Sequence, residues 1–234
     1  MDASRIDQWL ESRYAQLADE RYREFNARIV ATVDPERMLG VRTPDLRRMA
    51  REVARMSGIE VWLDELPHMR FESMQVHAFV VGALKDYDEC VCRINRFLPH
   101  VDNWATCDQL SPKVLAKRPK QTTALALGWM ESPHTYTCRF GIETLMRNNL
   151  RHHFDAELLN AVALVDRGDD YYVNMMRAWF VAEALVWQPA KALDLLKNNS
   201  LDCWTHNKAI QKAIESRRVS DGLKDNLRAL RRKG

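Results

Sequence analysis

Apolar residues recur three and four positions apart along nearly the whole chain, and no stretch sustains the period-two alternation of a half-buried strand. A chain patterned this way buries its apolar stripes by packing helix on helix, which makes it all-α. Helix starts are written out repeatedly. "RTPDLRRMAREVARM" offers Thr43 as N-cap, Pro44 at the first helical position and Asp45 near the positive end of the dipole. "LSPKVLAKR" repeats the device with Ser111 and Pro112, and "ESPHTYTCRFGIETLMRNNL" with Ser132 and Pro133. Breaks at Gly58, Pro67, Pro99, Pro119, Gly168 and Pro189 separate roughly a dozen expected helices of about 8–18 residues.

The helices read as pairs joined by short turns. Segments centred on Trp104, Arg139 and Trp179 share a layout and lie 35 and 40 residues apart. That is the period of two-helix repeats of the HEAT type. With no low-complexity linker or shift in composition, the expected architecture is one domain over residues 1–234. It would be a right-handed α-α superhelix of roughly six such pairs, whose concave face gathers residues from one helix of each pair.

Size and charge narrow the class. At 234 residues a packed core needs no disulfide support. The five cysteines are scattered, and Cys90 and Cys92, two apart on a helix, face different ways. They fit buried thiols of a reducing compartment. The amino terminus is charged and amphipathic, without the apolar core of a secretory signal, and no run is long enough to span a membrane. A cytoplasmic, nucleoid-associated monomer is expected. The net charge of +3 is mild, but its distribution is uneven. From Arg217 onward seven basic residues face two acids, Asp221 and Asp225, a solvated face or a phosphate-binding one.

Within "VDNWATCDQLSP", Trp104 and Asp108 are four apart, so a helix sets an indole and a carboxylate on one face. Asp102 is the expected cap of that helix. The next unit offers Arg139 in the first turn of its helix, and the one after offers Trp179. If the units stack, two indoles, a carboxylate and a guanidinium line one surface.

These segments resemble the DNA alkylation repair glycosylases built from HEAT-like repeats, the AlkD family. The resemblance runs from "LGVRTPDLRRMA" through "NWATCDQL", "RFGIETLM" and "YYVNMMRAWFVAEAL" toward "NKAIQKAIESRRV". It implies a monofunctional glycosylase acting on duplex DNA with alkylated bases, using neither metal nor organic cofactor. The family's Trp-x-x-x-Asp falls on Trp104 and Asp108, its phosphate- or substrate-facing arginine on Arg139, and its second tryptophan on Trp179. The chain departs from the family pattern in three places, one being that the arginine pair common at the third repeat is reduced to Cys138-Arg139. "ARIVATVDPERMLGVR" lacks the aromatic residue usual before the Gly-Val segment, with Phe25 farther back, and Glu183 replaces a basic character after Trp179.

The chemistry is coherent on its own terms. A purine alkylated at N3 or N7 is cationic and leaves as a neutral base, so no general acid is needed. A single carboxylate then stabilises the oxocarbenium-like sugar and orients water. Indole faces attract the cationic nucleoside, and an arginine grips phosphate. Arg217 and Arg218 are further candidates for phosphate contact. Trp9, Trp62, Trp129, Trp187 and Trp204 are assigned to packing, and the histidines show no ligand spacing. The absence of P-loop, dinucleotide and nucleophile-elbow motifs sets aside nucleotide hydrolysis and serine-hydrolase chemistry. Two other uses fit the same fold: a catalytically silent binder of branched or distorted DNA, and a protein-interaction scaffold.

Overall fold

A computed structural model of the chain describes residues 4–233. It has fourteen α-helices, three short 3₁₀ segments and no strand among the described residues, as the periodicity requires. The helices fall into two compact units, residues 1–117 and 118–234.

The first unit comprises α1 (Ser4–Leu17), α2 (Glu20–Ile29), α3 (Thr43–Val53), α4 (Ile59–Asp64), α5 (Phe71–Gly82), α6 (Tyr87–Phe97) and α7 (Trp104–Gln109). α3, α5 and α7 lie side by side, with α5 between its two neighbours, and α6 covers α5 from behind. As the central helix, α5 is buried along nearly its whole length, from Phe71 to Val81. A helix with neighbours on every side has no face left for solvent, so even its polar residues Glu72, Ser73, Gln75 and His77 are buried. Glu72 is wholly buried, and its Oε1 accepts from the backbone N–H of Leu39 (2.9 Å), Gly40 (2.8 Å) and Val41 (3.4 Å). Three orphan donors of the α2–α3 connection are thereby satisfied by one carboxylate. Burial raises the Glu72 pKa, and the same backbone N–H groups oppose the rise. Gly40 has φ +78°, and a Cβ there would meet the Asp19 carbonyl oxygen at 2.2 Å. Only glycine fits.

A second cluster fills the unit's other side. Trp62 stacks on His68 with centroids 4.1 Å apart, and His77 stacks on Phe97 at 4.1 Å. His68 Nε2 and His77 Nδ1 share a hydrogen bond of 3.0 Å, and the Trp62 indole N–H donates to Asp7 at 2.7 Å. Burial holds His68 down at about 4 and His77 well below its ordinary value, so both rings are neutral in the fold at pH 7.

The second unit comprises α8 (Pro119–Glu131), α9 (Thr135–Asn148), α10 (Ala156–Ala163), α11 (Tyr171–Trp187), α12 (Pro189–Lys197), α13 (Cys203–Glu215) and α14 (Asp221–Ala229). α9, α11 and α13 pack in sequence as one layer, while α10 and α12 meet in another. α8 and α9 approach so closely at Gly141 that a Cβ would lie 2.6 Å from the Ala126 carbonyl oxygen. The glycine of "RFGIETLM" is thus a packing requirement. Arg177 is 5% exposed. It donates to the C-terminal carbonyls of Val162 (3.3 Å) and Ala163 (2.6 Å), and to Asp202 (2.9 Å), the N-cap of α13. One guanidinium thus completes two helix ends.

Several helix starts differ from the sequence reading. Arg42, in extended conformation, is the N-cap of α3 without a side-chain bond, so Thr43 is already helical. Ser111 and Pro112 lead only into a 3₁₀ segment, Lys113–Lys117. Pro119 forces Arg118 out of helical geometry, leaving too few residues for an α-helix before α8 opens. His134, rather than Ser132, caps α9 by accepting from Thr137 N–H at 3.3 Å.

Two outcomes follow from this packing. Gly40→Ala combines left-handed strain with a backbone clash, and should lower stability by about 2 kcal/mol or more in urea denaturation. The buried histidines bind fewer protons folded than unfolded, so their contribution is complete above the ordinary histidine pKa. It is lost as pH falls from about 6.5 toward 4, by roughly 2–3 kcal/mol for His68. His68→Leu should flatten the dependence of the urea midpoint on pH over that window, and an unchanged slope would contradict it.

Candidate functional site

α7 is short, and its start is fixed by Asn103, whose Oδ1 accepts from Thr106 N–H at 2.7 Å. Asp102, expected as the cap, is used otherwise. It accepts from Asn103 Nδ2 at 2.8 Å and pairs with Arg37 at 2.6 Å, tying α7 to the connection before α3. Asn103 wins the cap because it is the residue with extended backbone, fully buried, immediately ahead of the first helical residue.

Trp104 opens α7, and its half-buried indole rests on Val30, Val33, Met38 and Phe71. Its Nε1–H donates to the Ile29 carbonyl at 3.0 Å, at the end of α2. The ring is therefore fixed by one edge and by its packed face, while part of it stays open to solvent. Asp108 follows one turn later on the same helix and is likewise half-buried. The spacing read from the sequence is realised: an oriented indole and a carboxylate share one side of a six-residue helix.

In the second unit the picture is mixed. Trp179 on α11 is half-buried, and Lys212 of α13 lies 5.9 Å from its ring centroid, a cation–π distance. Arg139 is the fifth residue of α9, past the first turn, and is only 4% exposed. Its Nη1 donates to the Tyr172 carbonyl at 2.8 Å, joining α9 to the first turn of α11. Arg217 and Arg218 are both exposed after α13. Arg218 is paired with Glu183 of α11, so the acid that departs from the family pattern neutralises one of the two. Among the other tail cations, Arg228 pairs with Asp225 and Lys224 with Asp221, and Arg232 donates to the Leu201 carbonyl at 2.8 Å. The basic run is thus partly spent on holding the last helix.

Not every tryptophan assigned to packing is internal. Trp62 and Trp129 are buried, but Trp187 and Trp204 are 40% and 41% exposed. Each lies beneath a cation, Arg151 at 5.0 Å from Trp187 and Lys208 at 5.7 Å from Trp204. Trp204 also meets Tyr171 edge-on at 5.6 Å. These positions fall at helix ends, where periodicity no longer tells inside from outside. In the first unit Tyr22 and Phe25 stack at 6.1 Å, with Arg42 at 4.7 Å from the Tyr22 ring. Phe25 is 47% exposed, so α2 carries an open aromatic pair where the expected aromatic near the Gly-Val segment is missing. The spacing of the two rings, three apart on a helix, was the available signal.

Trp104→Phe keeps the apolar contacts but leaves the Ile29 carbonyl without its donor. It should cost about 1 kcal/mol, against a near-neutral Trp204→Ala, both read from thermal or urea unfolding.

The model of a protein family described as DNA alkylation repair enzyme matches residues 10–188. No curated protein matches the chain. The matched span holds Trp104, Asp108, Arg139 and Trp179 and leaves Trp204, Arg217 and Arg218 beyond it. No helix among the described residues is long and apolar enough to cross a membrane. Since the match covers well over half of the sequence, the chain belongs to the DNA alkylation repair enzyme family.

Proposed function

We propose that the protein is a monofunctional DNA glycosylase that removes cationic N3- and N7-alkylated purines from duplex DNA. The observation that carries this reading is the pairing on α7 of a half-open, edge-anchored Trp104 with the half-buried carboxylate of Asp108. Membership of a DNA alkylation repair family supports it. So does the layered packing of α9, α11 and α13 against their partners, which suits a right-handed stack of HEAT-like helix pairs.

In this reading the Trp104 face meets the cationic nucleoside, and because its N–H is already engaged no polar group must be stripped of water for the encounter. As the glycosidic bond lengthens, positive charge moves from the purine to the sugar. Asp108 stabilises that charge and orients the water that adds to the anomeric carbon. The base departs neutral, so a second carboxylate acting as acid is unnecessary. Trp179 supplies a second indole and Arg217 a phosphate contact. Arg139, with its guanidinium on the Tyr172 carbonyl, positions α11 and thereby Trp179. In this reading the protein works as a monomer in the cytoplasm, associated with the nucleoid.

Two observations favour a second reading, that of a catalytically silent binder of distorted DNA. Arg139 is buried rather than presented, and Arg218 is neutralised by Glu183. Both weaken the grip on phosphate near a reacting nucleoside.

The deciding measurement is release of 7-methylguanine or 3-methyladenine from methylated duplex DNA under single-turnover conditions. Asp108→Asn should slow release by roughly 10²–10³-fold while leaving DNA binding intact, the loss typical of removing one preorganised electrostatic stabiliser. Salt-dependent DNA binding without release by the wild type would establish the second reading instead.

A further inference from the structure

Many arginines of the first unit pair with acids. Arg23 pairs with Glu20, Arg42 with Asp19, Arg48 with Asp45 and Arg70 with Glu11; Arg93 and Arg96 share Asp64. One region breaks the pattern. A groove of about 720 Å³ between α3, α5 and the chain following α7 is lined by Arg47, Arg51, Arg55, Lys85, Lys113 and Lys117, with no carboxylate in its lining. All six are exposed, and none has an ion-pair partner among the described residues.

The groove is built, not merely charged. Arg47, Arg51 and Arg55 follow one another at four-residue intervals on α3 and the turn after it. At 1.5 Å per residue they form a row with a step of about 6 Å. Arg48, one position off the row, is the arginine that pairs with Asp45. Arg47 is held over the Phe79 ring at 4.5 Å, and its Nη2 donates to Gln109 Oε1 at 2.8 Å. Lys117 Nζ is fixed by the Lys85 carbonyl at 3.0 Å. The C-terminal ends of α3 and α5 point their negative dipole ends toward this region, which offsets part of the repulsion among six like charges. A row of unpaired cations is matched to an extended polyanion rather than to a single small anion. Gln109, which lines the groove, follows Asp108 directly on α7.

We infer that this groove binds the phosphodiester backbone of duplex DNA, with Arg51 and Arg55 as direct phosphate contacts and Arg47 as an oriented third. This goes beyond the sequence candidates, none of which lies in the groove. It rests on the reading of DNA as the partner but not on base excision. The groove would hold the strand that runs past Asp108, setting register without reading sequence.

The test is binding of an undamaged, fluorescently labelled duplex by the full chain across a range of salt concentrations. Arg51→Gln/Arg55→Gln should reduce the dependence of log K on log salt by about two and weaken binding roughly tenfold or more at low salt, independent of sequence. Arg51→Lys/Arg55→Lys should restore most of the slope. Lys191→Gln/Lys197→Gln, which removes the same charge from exposed α12 positions, should change it little. The inference is overturned if the wild type does not bind duplex DNA. It is equally overturned if the glutamine pair keeps the wild-type slope, or if the α12 control loses as much. Because no alkylated base is present, a chain inactive in excision can still pass, and one active in excision can still fail.

Discussion

The buried carboxylate of Glu72 organises the first unit. Its Oε1 gathers the backbone N–H groups of Leu39, Gly40 and Val41, which fixes the connection from α2 to α3 against the start of α5. That same connection supplies Val30, Val33 and Met38, and with Phe71 these make the seat on which Trp104 rests. The Ile29 carbonyl that receives the Trp104 N–H stands at its beginning. A single desolvated acid, stabilised by three donors that would otherwise be orphaned, therefore sets the orientation of the indole nearest the candidate carboxylate. The left-handed Gly40 is the price of bringing those donors together.

The second unit solves the corresponding problem with buried guanidinium groups. Arg177 completes the end of α10 and reaches the cap of α13, while Arg139 binds the carbonyl of Tyr172. Both act across the layer of α9, α11 and α13, so the helix bearing Trp179 is located by cations placed inside the packing. An arginine can do this because its planar fork meets several carbonyls at once and stays charged whatever its surroundings. The consequence for function is that Arg139 and Arg177 are consumed in positioning. Arg217 and the row on α3 are exposed cations outside that positioning role.

Charge in this protein is therefore better described by its pairing than by its sum. The net value of +3 conceals a first unit with many arginine–acid pairs and one groove whose six cations meet no carboxylate in its lining. It conceals as well a basic C-terminal run in which Arg218, Arg228 and Lys224 are neutralised locally. An excess spread evenly over a surface binds nothing in particular, whereas unpaired cations in a row create the local potential that a polyanion senses.

The all-helical fold was legible in the chain because a period of three to four in apolar residues is a local property that survives whatever packs around it. The same holds for Trp104 and Asp108, whose shared face follows from four residues of helix. Family membership, too, could be read from ordered segments such as "LGVRTPDLRRMA" and "RFGIETLM", and the structure supplies the physical reasons for their glycines. Helix starts at Thr43, Asp102 and Ser132 came out one or two residues away, since several neighbouring residues can cap and only the path of the incoming chain selects among them. What tertiary structure alone decided is which polar groups are spent. Glu72 inside, Arg139 turned to a carbonyl, Glu183 on Arg218, and Arg47, Arg51 and Arg55 left unmatched are facts about partners distant in sequence. Whether a charge is buried, paired or open depends on what the fold brings within a few ångströms of it, and no local pattern encodes that.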